Sequence, residues 1–186
     1  MADERGFSIL EVMFASAIML AGAASLAQLF VLSTRSNISA KSTSMGTLLA
    51  QQKMEQLRAL QWGFDALGLP VTDTTTNTTT VPESNQSGTG LAPSPAGTLN
   101  QNKVGWVDYL DRFGNPLGGA SETPADGTVY IRRWSVEPLP TNPNNTLILQ
   151  VLVTVVGNRT GVDNTVSVVR GNAEARMVSV KTRKAS

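Results

Sequence analysis

Glu11 is the residue of this 186-residue chain that most plainly needs a chemical account. It stands at the edge of an apolar run, Val12 to Leu32, that contains no Lys, Arg, Asp or Glu. A carboxylate beside so long an apolar stretch costs free energy unless it lies in an interface or meets a partner, which makes it a candidate functional group. One role for it is local. Ser8-Ile9-Leu10-Glu11 has the spacing of a capping box, in which Ser8 caps a helix start and Glu11 bonds back to the Ser8 amide. A carboxylate in the first turn also complements the helix dipole, by about 0.3–1 kcal/mol. The other role is an ion pair with a cation brought by another group.

The remaining chemistry is sparse. The chain has no His and no Cys, which removes the usual zinc ligands, the His- or Cys-based catalytic sets and any disulfide. No nucleophile–base set and no metal-ligand cluster is recognisable, so neither an enzyme, a metal site nor a cofactor is expected. Asp108 and Asp111 invite a calcium reading, but their spacing does not match a twelve-residue calcium loop. A solvated turn leading into Phe113-Gly114-Asn115-Pro116 fits them better. Arg132, Arg133, Arg170, Arg176, Lys181, Arg183 and Lys184 are the only support for nucleic-acid binding. Solvated charges at strand ends explain them equally well, and a net charge of +1 is not the basic excess such domains carry. Nucleic acid is therefore not a favoured partner.

The element that must position Glu11 is a helix. The apolar run is about long enough for one membrane span, which needs ~20 residues. Ser16, Ser25 and Gln28 are few enough for a helix that also packs on other helices. Gly22, between Ala21 and Ala23 and followed by Ala24 and Ser25, forms a small-residue patch that permits close helix approach, although ordinary Ala-rich helix reads the same way. A signal peptide fits poorly, because the run exceeds the roughly 7–15 residues of a signal core and no small-residue cleavage site ends it. Arg5 precedes the span while Arg35 and Lys41 follow it, so a bare count of positive charges does not orient it.

Arg5-Gly6-Phe7-Ser8-Ile9-Leu10-Glu11-Val12 resembles the processing site of type IV prepilins and type II secretion pseudopilins. The resemblance implies a leader, residues 1–6, removed by a membrane prepilin peptidase that cuts between Gly6 and Phe7 and methylates the Phe7 amine. The freed amine would be a cation about 6 Å along the helix axis from Glu11. In a bundle of such helices it would pair with Glu11 of a neighbouring subunit and set axial register. Leu49-Ala50-Gln51-Gln52-Lys53-Met54-Glu55-Gln56-Leu57-Arg58 resembles the second half of the long N-terminal helix in PilV-type minor pilins. If unbroken from Phe7 to Leu60, that helix would be ~80 Å long.

The resemblance thus implies a minor pilin, a structural subunit that primes, assembles or modifies a type IV pilus. A type II secretion pseudopilin is the alternative, and a DNA-binding or adhesive minor pilin is less favoured. The implied partners are major and minor pilin subunits met through the N-terminal helix, the prepilin peptidase, the inner-membrane assembly platform and membrane lipid. The implied location is a single pass through the inner membrane with a periplasmic domain, followed by a cell-surface pilus or periplasmic pseudopilus. Many major pilins close a C-terminal loop with a disulfide, which this chain lacks.

The expected fold class is α+β, pilin-like, with a long N-terminal helix packed on a C-terminal antiparallel sheet of three or four strands. The expected segments are a leader at 1–6, a membrane-spanning helix at 7–32, an amphipathic helix at 33–62, a variable loop region at 63–128 and a sheet at 129–186. In the second helical segment Met45, Leu48, Leu49, Leu57 and Leu60 fall on one broad face, with Lys53, Glu55, Gln56 and Arg58 placed largely elsewhere. Trp62-Gly63 ends the pattern. Residues 72–97 are low in complexity and rich in Thr, Ser, Gly and Pro, which reads as a disordered surface insertion. The Asn-x-Ser/Thr triplets at Asn37, Asn77, Asn85, Asn144 and Asn158 are expected by chance in such a composition. Leu147 to Val156 has the pattern of a central strand buried on both sides. In Val129 to Val136 the alternation slips at Arg132-Arg133, which suggests a bulge. Thr165 to Val169 and Ala173 to Val180 read as two further strands.

Overall fold

The computed structural model describes residues 8–79, 88–118, 121–160 and 166–183. The chain divides into two compact units, Met1–Lys41 and Ser42–Ser186. Helix α1, Ile9–Ala59, is continuous through its 51 residues. Nothing in that span breaks it: there is no Pro, and Ala, Leu and Met, all strong helix formers, dominate. The polar stretch from Ser33 to Ser44 lowers propensity but stays helical.

In the first unit the side chains of α1 are exposed from Ile9 onward. In the second unit α1 buries Gly46, Leu49, Ala50, Lys53, Met54 and Leu57. These positions recur every three or four residues and form one face. Leu48, expected on that face, is 59% exposed, while Lys53, expected off it, is fully buried. The face is set by Leu49, Lys53 and Leu57, each four residues from the next.

Among the described residues seven strands follow. β1 (Trp62–Phe64) and β2 (Pro70–Thr72) form a small hairpin. β3 (Val107–Leu110), β4 (Pro116–Gly118), β5 (Tyr130–Pro138), β6 (Thr146–Thr160) and β7 (Val166–Thr182) form an antiparallel sheet in the order β4-β3-β5-β6-β7. The fold is therefore α+β, but the sheet has five strands rather than three or four. The extra pair, β3 and β4, comes from within 63–128, where the aromatic cluster Trp106 to Phe113 is too short for strong alternation. β6 lies between β5 and β7, as its composition required.

Two other expectations are corrected. β5 pairs with β6 without interruption from Tyr130↔Val155 to Pro138↔Leu147, so there is no bulge at Arg132-Arg133. The alternation is intact, with one arginine on each face and both buried. The stretch around Arg170-Gly171-Asn172 does not separate two strands; it lies inside the single strand β7.

The main core lies between α1 and the sheet. Leu49, Ala50, Met54 and Leu57 pack with Tyr130, Trp134 and Val136 of β5, and with Leu147, Leu149, Val151 and Val153 of β6. A second cluster, Val107, Tyr109 and Ile131, occupies the opposite face. The described parts of the low-complexity stretch belong to the packed structure, against the expectation of disorder. Leu91 is in the core, its amide donates to the Asp73 carbonyl at 2.7 Å, and the Ser94 amide donates to the Val136 carbonyl at 2.9 Å. Side chains and backbone amides there find partners even though the composition offers few apolar groups.

Candidate functional site

The Ser8 carbonyl accepts the first bonds of α1, from the amides of Glu11 at 3.0 Å and Val12 at 3.2 Å. Ser8 is thus the N-cap residue, and Glu11 lies in the first turn, at the positive end of the helix dipole. Its side chain is exposed. Gly6 and Phe7, the expected cut site and methylation site, lie outside the described residues.

From Val12 to Leu32 the exposed surface of α1 is almost wholly apolar and includes Phe14, Ile18, Met19, Leu20, Leu26 and Phe30. Several of its hydroxyls bond back to the helix itself. Ser16 donates to the Val12 carbonyl at 2.7 Å, Ser25 to Ala21 at 2.9 Å and Thr34 to Phe30 at 2.9 Å. Each bond reaches back four residues, so these polar groups do not depend on water. Among the described residues, α1 is the one helix long and apolar enough to cross a membrane.

A second constellation lies where α1 meets the sheet, and the sequence reading missed it. Lys53 of α1 and Arg132 of β5 converge on one oxygen of Asp108 in β3. The Lys53 ammonium lies 2.9 Å from Asp108 Oδ2, and Arg132 Nη2 lies 2.8 Å from the same atom. All three side chains are essentially excluded from solvent. Arg132 also donates from Nη1 to the Leu49 carbonyl and to Gln52 Oε1, both at 3.1 Å, which ties β5 to the helix backbone. Lys53 donates to the Thr78 carbonyl and stands 4.1 Å from the Trp134 ring centroid. Burial pushes the Lys53 ammonium down to about 8, with Asp108 opposing that shift and Arg132 adding to it. A signal was present: Leu49, Lys53 and Leu57 are spaced four apart, which places the lysine within the apolar stripe.

The expected solvated turn is corrected for Asp108, which is a buried strand residue, and holds for Asp111. The Asp111 carboxylate accepts from the amides of Phe113 at 2.7 Å and Asn115 at 2.8 Å and from Asn115 Nδ2 at 2.9 Å. Those bonds, the Asn115 side chain first, hold its carboxyl below the usual range.

Several of the basic residues that pointed to nucleic acid are engaged within the chain. Besides Arg132, Arg133 donates to Asn102 Oδ1 at 2.9 Å. Lys181 of β7 donates to the carbonyls of Leu57, Arg58 and Leu60 at the end of α1, with 2.6 Å to Arg58. Those carbonyls have no amide partners within the helix, and the ammonium satisfies them at the negative end of its dipole. Arg183 donates to the carbonyls of Asn144, Gly63 and Val71 and stacks on Trp62, 3.6 Å from the ring centroid. Arg170 is in β7, and Lys184 lies outside the described residues. Among the described residues, no group of three His, Cys, Asp or Glu side chains is placed to hold a metal ion.

Compared with protein-family models, with curated proteins and with solved structures, the chain matches none.

Proposed function

We propose that this protein is a pilin-like filament subunit, a minor pilin that primes, assembles or modifies a type IV pilus. The observation that supports this reading is α1 itself. From Ile9 to Leu32 its apolar side chains are exposed, its hydroxyls bond inward, and one carboxylate, Glu11, sits in the first turn. Such a surface suits lipid first and a bundle of like helices afterwards. On this reading prepilin peptidase releases the Phe7 amine, the soluble unit faces the periplasm, and the assembly platform adds the subunit to a filament. The Phe7 amine of one subunit then meets Glu11 of another.

The test has two parts. N-terminal sequencing of membrane-extracted protein, from a host with active prepilin peptidase, should show a chain beginning at Phe7. A mature chain beginning at Met1 or Ala2 would overturn the reading. Glu11→Ala and Glu11→Gln should both insert and be cut normally, yet both should be depleted from sheared filaments relative to their membrane pool. An unpaired buried charge costs several kcal/mol, roughly 3–5, and Gln keeps capping ability without charge. Normal incorporation of both variants would remove Glu11 from assembly.

A further inference from the structure

The Thr-rich segment 73–79 lies over the buried cation of α1. Its backbone is paired with the segment that begins at Gly88. The amides of Gly88, Gly90 and Leu91 donate to the carbonyls of Thr75, Thr76 and Asp73 at 2.8, 3.0 and 2.7 Å. A Cβ at Gly88 would fall 2.1 Å from the Asn77 Cα, an approach that only glycine permits. Thr78 is fully buried, and its carbonyl is an acceptor for Lys53 Nζ.

The groups facing Lys53 come from three directions. Asp108 of β3 attracts its charge, and Arg132 of β5 repels it. The strap contributes the neutral Thr78 carbonyl, and Asp73, the acid of that segment, instead accepts from Thr75 and Thr76. On α1 itself Glu55 is exposed and paired with Arg58. Two cations therefore share one carboxylate oxygen in a site without water-facing surface. An ammonium gives up a proton far more readily than a guanidinium, so Lys53 is the member able to lose one. A neutral amine has two N–H groups, and they match the two oxygen acceptors beside it, Thr78 O and Asp108 Oδ2. The nitrogen also stands 4.1 Å from the Trp134 ring centroid, a contact that offsets part of the cost of keeping the charge.

We propose that the 73–79 strap and Lys53 form a proton-coupled latch, in which closing the strap over Lys53 expels a proton from its ammonium group to solvent and return of that proton loosens the strap. The direction follows from linkage. The closed strap holds Lys53 away from water, and burial lowers its proton affinity. An open strap lets water reach the ammonium and restores that affinity. Between about pH 8 and 10.5 the open form binds more protons, so within that window falling pH favours opening and rising pH favours closure.

Hydrogen exchange on the full chain in detergent micelles, read by mass spectrometry between pH 7 and 10, tests this. Protection factors of the 73–79 peptide, corrected for intrinsic exchange, should rise roughly tenfold between about pH 8 and 9.5. They should stay below those of β6 throughout, because the strap opens separately. In Lys53→Met the strap should be protected at the alkaline level at every pH. A flat wild-type profile, a strap that opens only with β6, or an unchanged titration in Lys53→Met would each overturn the proposal. The wild-type profile decides the question even if the variant folds poorly.

Discussion

Lys53 shows how one residue can set the sign of a pH dependence. In the folded chain burial lowers its pKa to about 8, against 10.5 in the unfolded chain. Between those values the unfolded state binds more protons, so folding stability rises with pH and the gain is lost as pH falls through 8. Lys181, also lowered by burial and then by Arg58, acts in the same direction. Tyr109 acts in the opposite sense. Burial raises it to about 12, so above about 10 the unfolded tyrosine ionises while the folded one does not, and stability falls. Denaturant midpoints of the full chain in detergent should therefore increase from pH 8 to a maximum near pH 10 and then decline. Lys53→Met should remove most of the rising limb; a midpoint that falls steadily from pH 8 would contradict the assignment. At this scale the sequence was only partly legible. Glu11 announced itself because nothing charged follows it for a long stretch. Asp108 did not, because its two partners lie in α1 and β5, and no local spacing encodes a contact between three separate elements.

Among the elements, the strongest patterns were read correctly and the weak ones were not. β6 carries Leu147, Leu149, Val151 and Val153 on its helix-facing side and Ile148 and Leu152 on the other, and apolar residues on both faces were enough to place it between two other strands. The arginine pair in β5 was misread because a buried charge looks like a break in the hydrophobic pattern, whereas here Arg132 and Arg133 each have partners on their own face. The Thr- and Gly-rich segments were misread for a related reason. Their order comes from backbone hydrogen bonds and from Leu91, and composition alone does not reveal backbone bonds. The end of α1 carries a prediction of its own. Lys181→Met keeps length and apolar character but leaves three terminal carbonyls without their ammonium. It should cost about 1–2 kcal/mol of stability, with the loss of exchange protection concentrated in residues 55–60. A variant as stable as the parent would show that water caps that end equally well.

For the whole molecule, the division at Lys41 and Ser42 separates two kinds of surface chemistry. The first unit exposes apolar side chains; the second has its own core and polar network. Deleting residues 1–35 should therefore yield a water-soluble monomer with a cooperative thermal transition, checked by size-exclusion chromatography and circular dichroism. Aggregation or absence of a transition would mean that the first unit contributes to the stability of the second. The attachment of β7 also has a consequence for how the chain is made. Lys181 and Arg183 grip residues 57–72, more than a hundred positions earlier in the sequence. A ribosome emits those partners long before it emits the two cations, so the nascent helix waits with a bare end until Lys181 and Arg183 have emerged. A chain cut just before Lys181 would keep most of the core residues and still be an unfinished domain.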